Sequence, residues 1–126
     1  MRMSVILMSC WLMGGAPVPA EVIRLSPDDN WFELLHGNRL KPGDEVILSA
    51  GTYTDRRKLT LEHRGTRAAP ITIRAAQGAR AIIKRPDARQ NTINMLGVQH
   101  LILKDLEITG GSAGIRIFKS GDTMAR

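Results

Sequence analysis

Three short segments echo one another along the chain: Pro70-Ile71-Thr72-Ile73-Arg74, Asn91-Thr92-Ile93-Asn94-Met95 and Gly114-Ile115-Arg116-Ile117-Phe118, about 22 residues apart. In each, apolar and polar residues alternate, the period-2 pattern of a half-buried strand. Stacked at that spacing, Ile71, Ile93 and Ile115 form one inward column and Ile73, Met95 and Ile117 a second. Thr72, Asn94 and Arg116 form the outward column. A fixed period in this range marks a repeat architecture, in which each unit buries its apolar face only against its neighbours. With no helical pattern between the strands, the fold class expected is all-β, a parallel β-helix (solenoid).

The remainder of the chain fits this frame. Glu21–Leu25, Glu45–Leu48, Gly51–Thr54, Leu59–Leu61, Ala81–Ile83 and two segments meeting at Asp105 read as further strands. Leu40-Lys41-Pro42-Gly43-Asp44 is a turn. Ser26-Pro27-Asp28-Asp29 reads as a helix start, followed by an apolar face of Trp31, Leu34 and Leu35 that ends near Gly37. A short capping α-helix at the N-terminal end has a physical purpose, because the first coil has no neighbour and its apolar end must be covered. Adding one repeat to Leu101 lands on Thr123, where a new strand is expected to begin. The sequence therefore reads as the N-terminal portion of a longer β-helix, truncated at its C-terminus.

With 126 residues there is one domain at most. Arg2, the apolar run Val5–Met13 and the small residues of Val18-Pro19-Ala20 form a signal-peptide pattern. Residues 1–20 are expected to be removed after Ala20, leaving 21–126 as the domain, secreted or periplasmic. The apolar run is too short to span a bilayer, so no stable membrane span is expected after cleavage. Cys10 is the one cysteine and lies in that segment, so the mature chain has neither disulfide nor thiolate chemistry. The net charge of +6 favours an anionic partner. For an exported protein, acidic polysaccharide is the expected one. Nucleic acid is disfavoured: aromatics are only 4%, and no helix-turn-helix or zinc-finger cysteines are present.

Leu40-Lys41-Pro42-Gly43-Asp44-Glu45-Val46-Ile47-Leu48 followed by Gly51-Thr52-Tyr53 resembles the opening of secreted right-handed parallel β-helix proteins of the polysaccharide lyase type, a group with pectate, alginate and chondroitinase-like members. Gly65-Thr66 followed by Pro70–Ala75, and the stretch Gly97–Ile108, are similar to later segments of the same group. The resemblance covers nearly the whole of 21–126. It implies a right-handed coil and, for the full-length parent, cleavage of a uronic-acid polymer by β-elimination. That chemistry needs calcium, arginine or lysine to neutralise the uronate carboxylate, and a base to take the adjacent proton. No catalytic motif of the group can be carried over onto these residues, so this chain alone is expected to be inactive. A non-catalytic carbohydrate-binding β-helix and a glycoside hydrolase on the same fold are the alternatives.

Candidate substrate-binding residues are Arg74, Asn94 and Arg116, placed together on one outward face above Thr72, where an arginine could grip a carboxylate with two bonds. Leu96 and Phe118 align one repeat apart, and a bend is expected to turn them inward. Asp105 and Glu107 have the spacing of a strand-borne acid pair, but a bend at Asp105 and a surface Glu107 are the expectation. Asp44 and Glu45 are assigned to a turn. His36, His63 and His100 show no metal spacing and are expected on the surface or in loops. The glycines from Gly110 to Gly114 precede a strand, not a helix, so they do not form a phosphate-cradling loop. No metal site is expected.

Overall fold

In the computed structural model, residues 20–119 and the backbone of Thr123–Ala125 are described. The expected signal peptide, with Cys10, lies outside the described residues except for Ala20.

The elements run β1 Val22–Leu25, α1 Trp31–Leu35, β2 Glu45–Leu48, β3 Gly51–Thr54, β4 Leu59–Leu61, β5 Ile71–Ala75, β6 Ala81–Lys84, β7 Ile93–Leu96, β8 Leu101–Lys104, β9 Leu106–Thr109, β10 Ile115–Phe118 and β11 Thr123–Ala125. Every strand pairing is parallel. Sheet I has the order β1-β2-β5-β8-β11, sheet II β3-β6-β9 and sheet III β4-β7-β10. The chain therefore visits sheets I, II and III in turn and climbs one strand spacing, about 4.8 Å, per circuit. This is the expected parallel β-solenoid.

Alternation sorts the side chains. Val46, Leu48, Ile71, Ile73, Leu101 and Leu103 point inward from sheet I, Tyr53, Ala81 and Ile83 from sheet II, and Leu59, Leu61, Ile93 and Met95 from sheet III; all are buried. Each buried aliphatic side chain contributes roughly 1.5–3 kcal/mol of hydrophobic stabilisation. Tyr53 keeps its hydroxyl satisfied inside this core by donating to the carbonyls of Ser49 at 2.8 Å and Leu25 at 3.1 Å.

The stacking differs from the expectation at one strand. Ile71 pairs with Leu101 in sheet I, whereas Ile93 lies between Leu59 and Ile115 in sheet III. The inward columns of sheet III are thus Leu59-Ile93-Ile115 and Leu61-Met95-Ile117, and the outward column is Thr60-Asn94-Arg116. Thr72 and Arg74 belong to another sheet. The reason is coil length. A circuit takes 22 residues from Ile93 to Ile115 and from Leu101 to Thr123, but 34 from Leu59 to Ile93 and 30 from Ile71 to Leu101. Longer corners at 62–70 and 85–92 take up the difference. The distance from Ile71 to Ile93 equals one short circuit but ends two sheets further on.

Asp105 alone joins β8 to β9, at φ +59, a left-handed turn that aspartate tolerates better than most residues. The bend expected there is present.

The cap is built differently from its expectation. Ser26 does not start the helix. Its backbone N–H and hydroxyl both donate to the Asp29 carboxylate, at 2.7 and 3.1 Å, closing a turn before α1 begins at Trp31. Trp31, Phe32 and Leu35 are buried, and Leu34 packs at the margin. Trp31 meets Phe32 and Tyr53 edge-to-face at 5.7 and 5.6 Å. Beyond the helix, Gly37 pairs with Leu61 as a bridge beneath β4. The Gly37 N–H donates to Thr60 O at 2.8 Å, and Glu62 N–H to Gly37 O at 2.7 Å. The lower edge of sheet III is thereby satisfied rather than left open.

Candidate functional site

The outward face of sheet III carries a cleft of about 300 Å³ lined by Lys58, Thr60, Asn91, Asn94, Leu96, Arg116 and Phe118. Thr60, Asn94 and Arg116 come from three successive coils, in register. The Asn94 side chain is only 4% exposed although its strand position faces outward. Its Oδ1 accepts from Asn91 Nδ2 at 2.9 Å, while its own Nδ2 has no partner among the described residues. A buried amide N–H left unpaired costs about 1–3 kcal/mol, so it is a group that an incoming acceptor would satisfy. Above it the Arg116 guanidinium sits 4.9 Å from the Phe118 ring centroid. Phe118 and Leu96 pair across β10 and β7 and are 37% and 43% exposed. The inward bend expected of them does not occur, because β7 and β10 continue in register through Leu96 and Phe118, which keeps both on the face of Asn94 and Arg116. They form an apolar ledge beside the polar column. Among the described residues no carboxylate lines this cleft.

Two of the three sequence candidates, Asn94 and Arg116, therefore stand together. Arg74 does not join them. It faces outward from sheet I, opposite Ile47 and Lys104, and donates from Nε to Glu45 Oε2 at 2.6 Å and from Nη1 to Ala75 O at 3.0 Å. Glu45 is accordingly a strand residue with an ion-pair partner, not part of the turn. Asp44 does close the turn, accepting the backbone N–H of Lys41 at 2.8 Å and that of Glu21 at 3.2 Å. Lys58, Thr60 and Asn91 line the site without having been legible as site residues. The alternation of Leu59-Thr60-Leu61 is visible in the sequence, but nothing in it says which sheet the strand joins.

The acid pair does not converge. Asp105 sits at the corner, while Glu107 faces outward from sheet II and is held by Arg80, which keeps its carboxyl below the ordinary range. Of the histidines, His63 lies in the corner 62–70, a loop position as expected, but its side chain is fully buried. His36 Nδ1 accepts the Thr60 backbone N–H at 3.2 Å, and its ring stacks on Phe32 at 5.0 Å. Among the described residues no three histidine, cysteine or acidic side chains come together to hold a metal ion. The described residues thus offer no carboxylate cluster of the kind a calcium ion takes. Among the described residues no helix is long and apolar enough to cross a membrane.

With the fold and the cleft in place, comparison with known families adds one decisive finding. Residues 35–125 match the family model of chondroitinase B. The chain belongs to the chondroitinase B family. No curated protein and no solved structure matches it significantly. The match starts at Leu35, the last residue of α1, and ends at Ala125 in β11, so it takes in β2 to β11 and leaves out β1 and most of the cap helix. Chondroitinase B is a family of parallel β-helix polysaccharide lyases, in agreement with both the β-solenoid and the resemblance read from the Pro42-Gly43-Asp44 and Gly51-Thr52-Tyr53 segments.

Proposed function

We propose that the outward face of sheet III binds an acidic polysaccharide outside the cytoplasm, and that the protein to which this domain belongs cleaves it by β-elimination. The observation that carries the reading is the buried amide of Asn94, between Thr60 and Arg116, which among the described residues has no partner for its Nδ2 and no carboxylate beside it in the cleft. An acidic sugar supplies what that arrangement lacks. A ring carboxylate could accept from Arg116 in a charge-assisted, two-pronged contact. A ring or carboxylate oxygen could accept from Asn94 Nδ2. The apolar face of the pyranose would lie on Leu96 and Phe118. Lys58 adds a second cation at the lower rim. These groups bind and orient, and withdrawing charge from the uronate carboxylate is also what β-elimination demands of a lyase site.

The test is product chemistry on polygalacturonate, alginate and chondroitin sulfate, with and without calcium. A lyase creates a C=C bond that absorbs in the ultraviolet. A hydrolase releases reducing ends without that absorbance. A pure binding module gives saturable binding and neither product. Saturable binding lost on Arg116→Gln supports the face assignment, and absence of binding to all three polymers defeats it.

A further inference from the structure

We propose that a second anion subsite lies at the corner between sheets II and III, on the cleft lined by Arg56 and Arg89, and that it takes a further carboxylate or sulfate of a polyanionic chain lying on sheet III. The chemical class of ligand rests on the reading of sheet III; the site itself rests on separate observations.

The first is continuity. The corner cleft has a volume of about 420 Å³ and is lined by Arg56, Pro86, Asp87 and Arg89. Two of the corner loops, 55–58 and 85–92, build it. The same two loops supply Lys58 and Asn91, each two positions further on, to the rim of the sheet III cleft. One ligand crossing that shared rim would touch both. A polymer path across the coils follows, from Arg116 over Asn94 and Lys58 to the corner.

The second is charge. The acids near this corner are already engaged. Arg57 takes Glu33 and Asp55, each at 2.7 Å, so neither neutralises Arg56. Asp87, the one carboxylate in the cleft among the described residues, accepts the Arg89 backbone N–H at 2.9 Å. Its tie to the Arg89 side chain is long, 3.4 Å, and that side chain is 91% exposed. An exposed pair at that distance is weak and would yield to a better acceptor.

The third is a buried cation. Arg85 continues the inward alternation of β6 and is only 7% exposed. Its Nη1 donates to the Arg57 carbonyl at 2.7 Å, while its Nε has no partner. The two buried side-chain nitrogens without a partner among the described residues, Arg85 Nε and Asn94 Nδ2, thus lie at the start of this corner and on the strand that follows it. A buried guanidinium without a carboxylate keeps a positive field directed at whatever approaches the loop. The Asp87 carboxyl lies below the ordinary range, chiefly through the Arg89 N–H, then through the Arg89 side chain, with the charge of Arg85 the smallest contribution.

The experiment titrates the folded chain with polygalacturonate and chondroitin sulfate, and with a disaccharide prepared from each, at several salt concentrations. The wild type is compared with Arg116→Gln and with the double variant Arg56→Gln/Arg89→Gln, whose exposed side chains leave the core untouched. The expected result is that the double variant loses about tenfold in affinity for a long chain. Its salt dependence becomes shallower, and its disaccharide affinity changes less than twofold. Unchanged long-chain affinity, or an equal loss for the disaccharide, overturns the corner subsite. If only Arg116→Gln weakens binding, the sheet III reading stands and the corner falls. If only the double variant does, the reverse holds. If the wild type binds neither polymer, both fall.

Discussion

His63 Nε2 lies 2.6 Å from the Leu35 carbonyl oxygen, and its Nδ1 receives the Leu40 backbone N–H at 3.3 Å. One neutral tautomer, with the proton on Nε2, serves both contacts. The ring thus ties the last residue of α1 to the segment that leads into β2. Burial lowers the His63 pKa, although the Leu35 carbonyl and the charges of Glu62 and Asp44 pull the other way. In the unfolded chain the ring takes up a proton near pH 6.5; in the fold it resists. Stability from this group is therefore complete above about pH 6.5 and is lost as pH falls below it, at a limiting slope of about 1.4 kcal/mol per pH unit. Urea unfolding followed from pH 8 to pH 5 should show that onset. His63→Gln should be less stable at pH 8 by about 1–3 kcal/mol and flat through the same window. A wild-type profile level down to pH 5 contradicts the assignment.

Arg57 sits with its guanidinium carbon 4.0 Å from the Phe32 ring centroid while pairing with Glu33 and Asp55. It clamps the cap helix to the first coil. All three charged partners are solvent-accessible, so the gain is small despite the short distances. Arg57→Ala should lower stability slightly, mostly through lost cation–π and stem packing. Asp55 titrates at about 2, held down first by Arg57. Its contribution is present above the ordinary carboxylate range and disappears as pH falls toward 2, a window well below that of His63. The salt dependence of unfolding for wild type and variant checks the electrostatic share.

Gly110 has φ +90, and a Cβ there would lie 2.2 Å from the Arg85 carbonyl oxygen. Gly78 has φ +75 and nothing within 4 Å of the same atom. Gly78→Ala should therefore cost only the backbone term, about 1–2 kcal/mol. Gly110→Ala must also push the β6–β7 corner away and should cost at least about 2 kcal/mol more. Equal thermal shifts for the two variants would show that the corner is not packed as described.

Most of the strands are readable in the chain because alternation reports directly which side chains face inward. Glu45–Leu48, Gly51–Thr54 and Leu59–Leu61 fall where the pattern places them, and Thr123 pairs with Leu101 one 22-residue circuit on. Sheet membership is not readable in the same way. Ile71 and Ile93 look like successive rungs because the spacing between them matches the short coil, while the long corner 85–92 lies between. That one ambiguity sets Arg74 beside Asn94 in the sequence and hides Thr60 and Lys58. The buried His63 is hidden for another reason: its role is set by two backbone groups, Leu35 O and Leu40 N–H, and backbone partners leave no mark in residue type. Asn94 and Arg116 are legible as a pair because their coil is the short one.

The proposal that sheet III, not sheet I, is the polysaccharide face is checked by titrating polygalacturonate and chondroitin sulfate into the Arg116→Gln and Arg74→Gln variants. Both remove one outward arginine from a strand of the same solenoid. Arg116→Gln is expected to weaken binding by about tenfold or more, the worth of one charge-assisted contact, with Arg74→Gln within about twofold of wild type. Loss of binding in Arg74→Gln with Arg116→Gln unaffected would contradict the account.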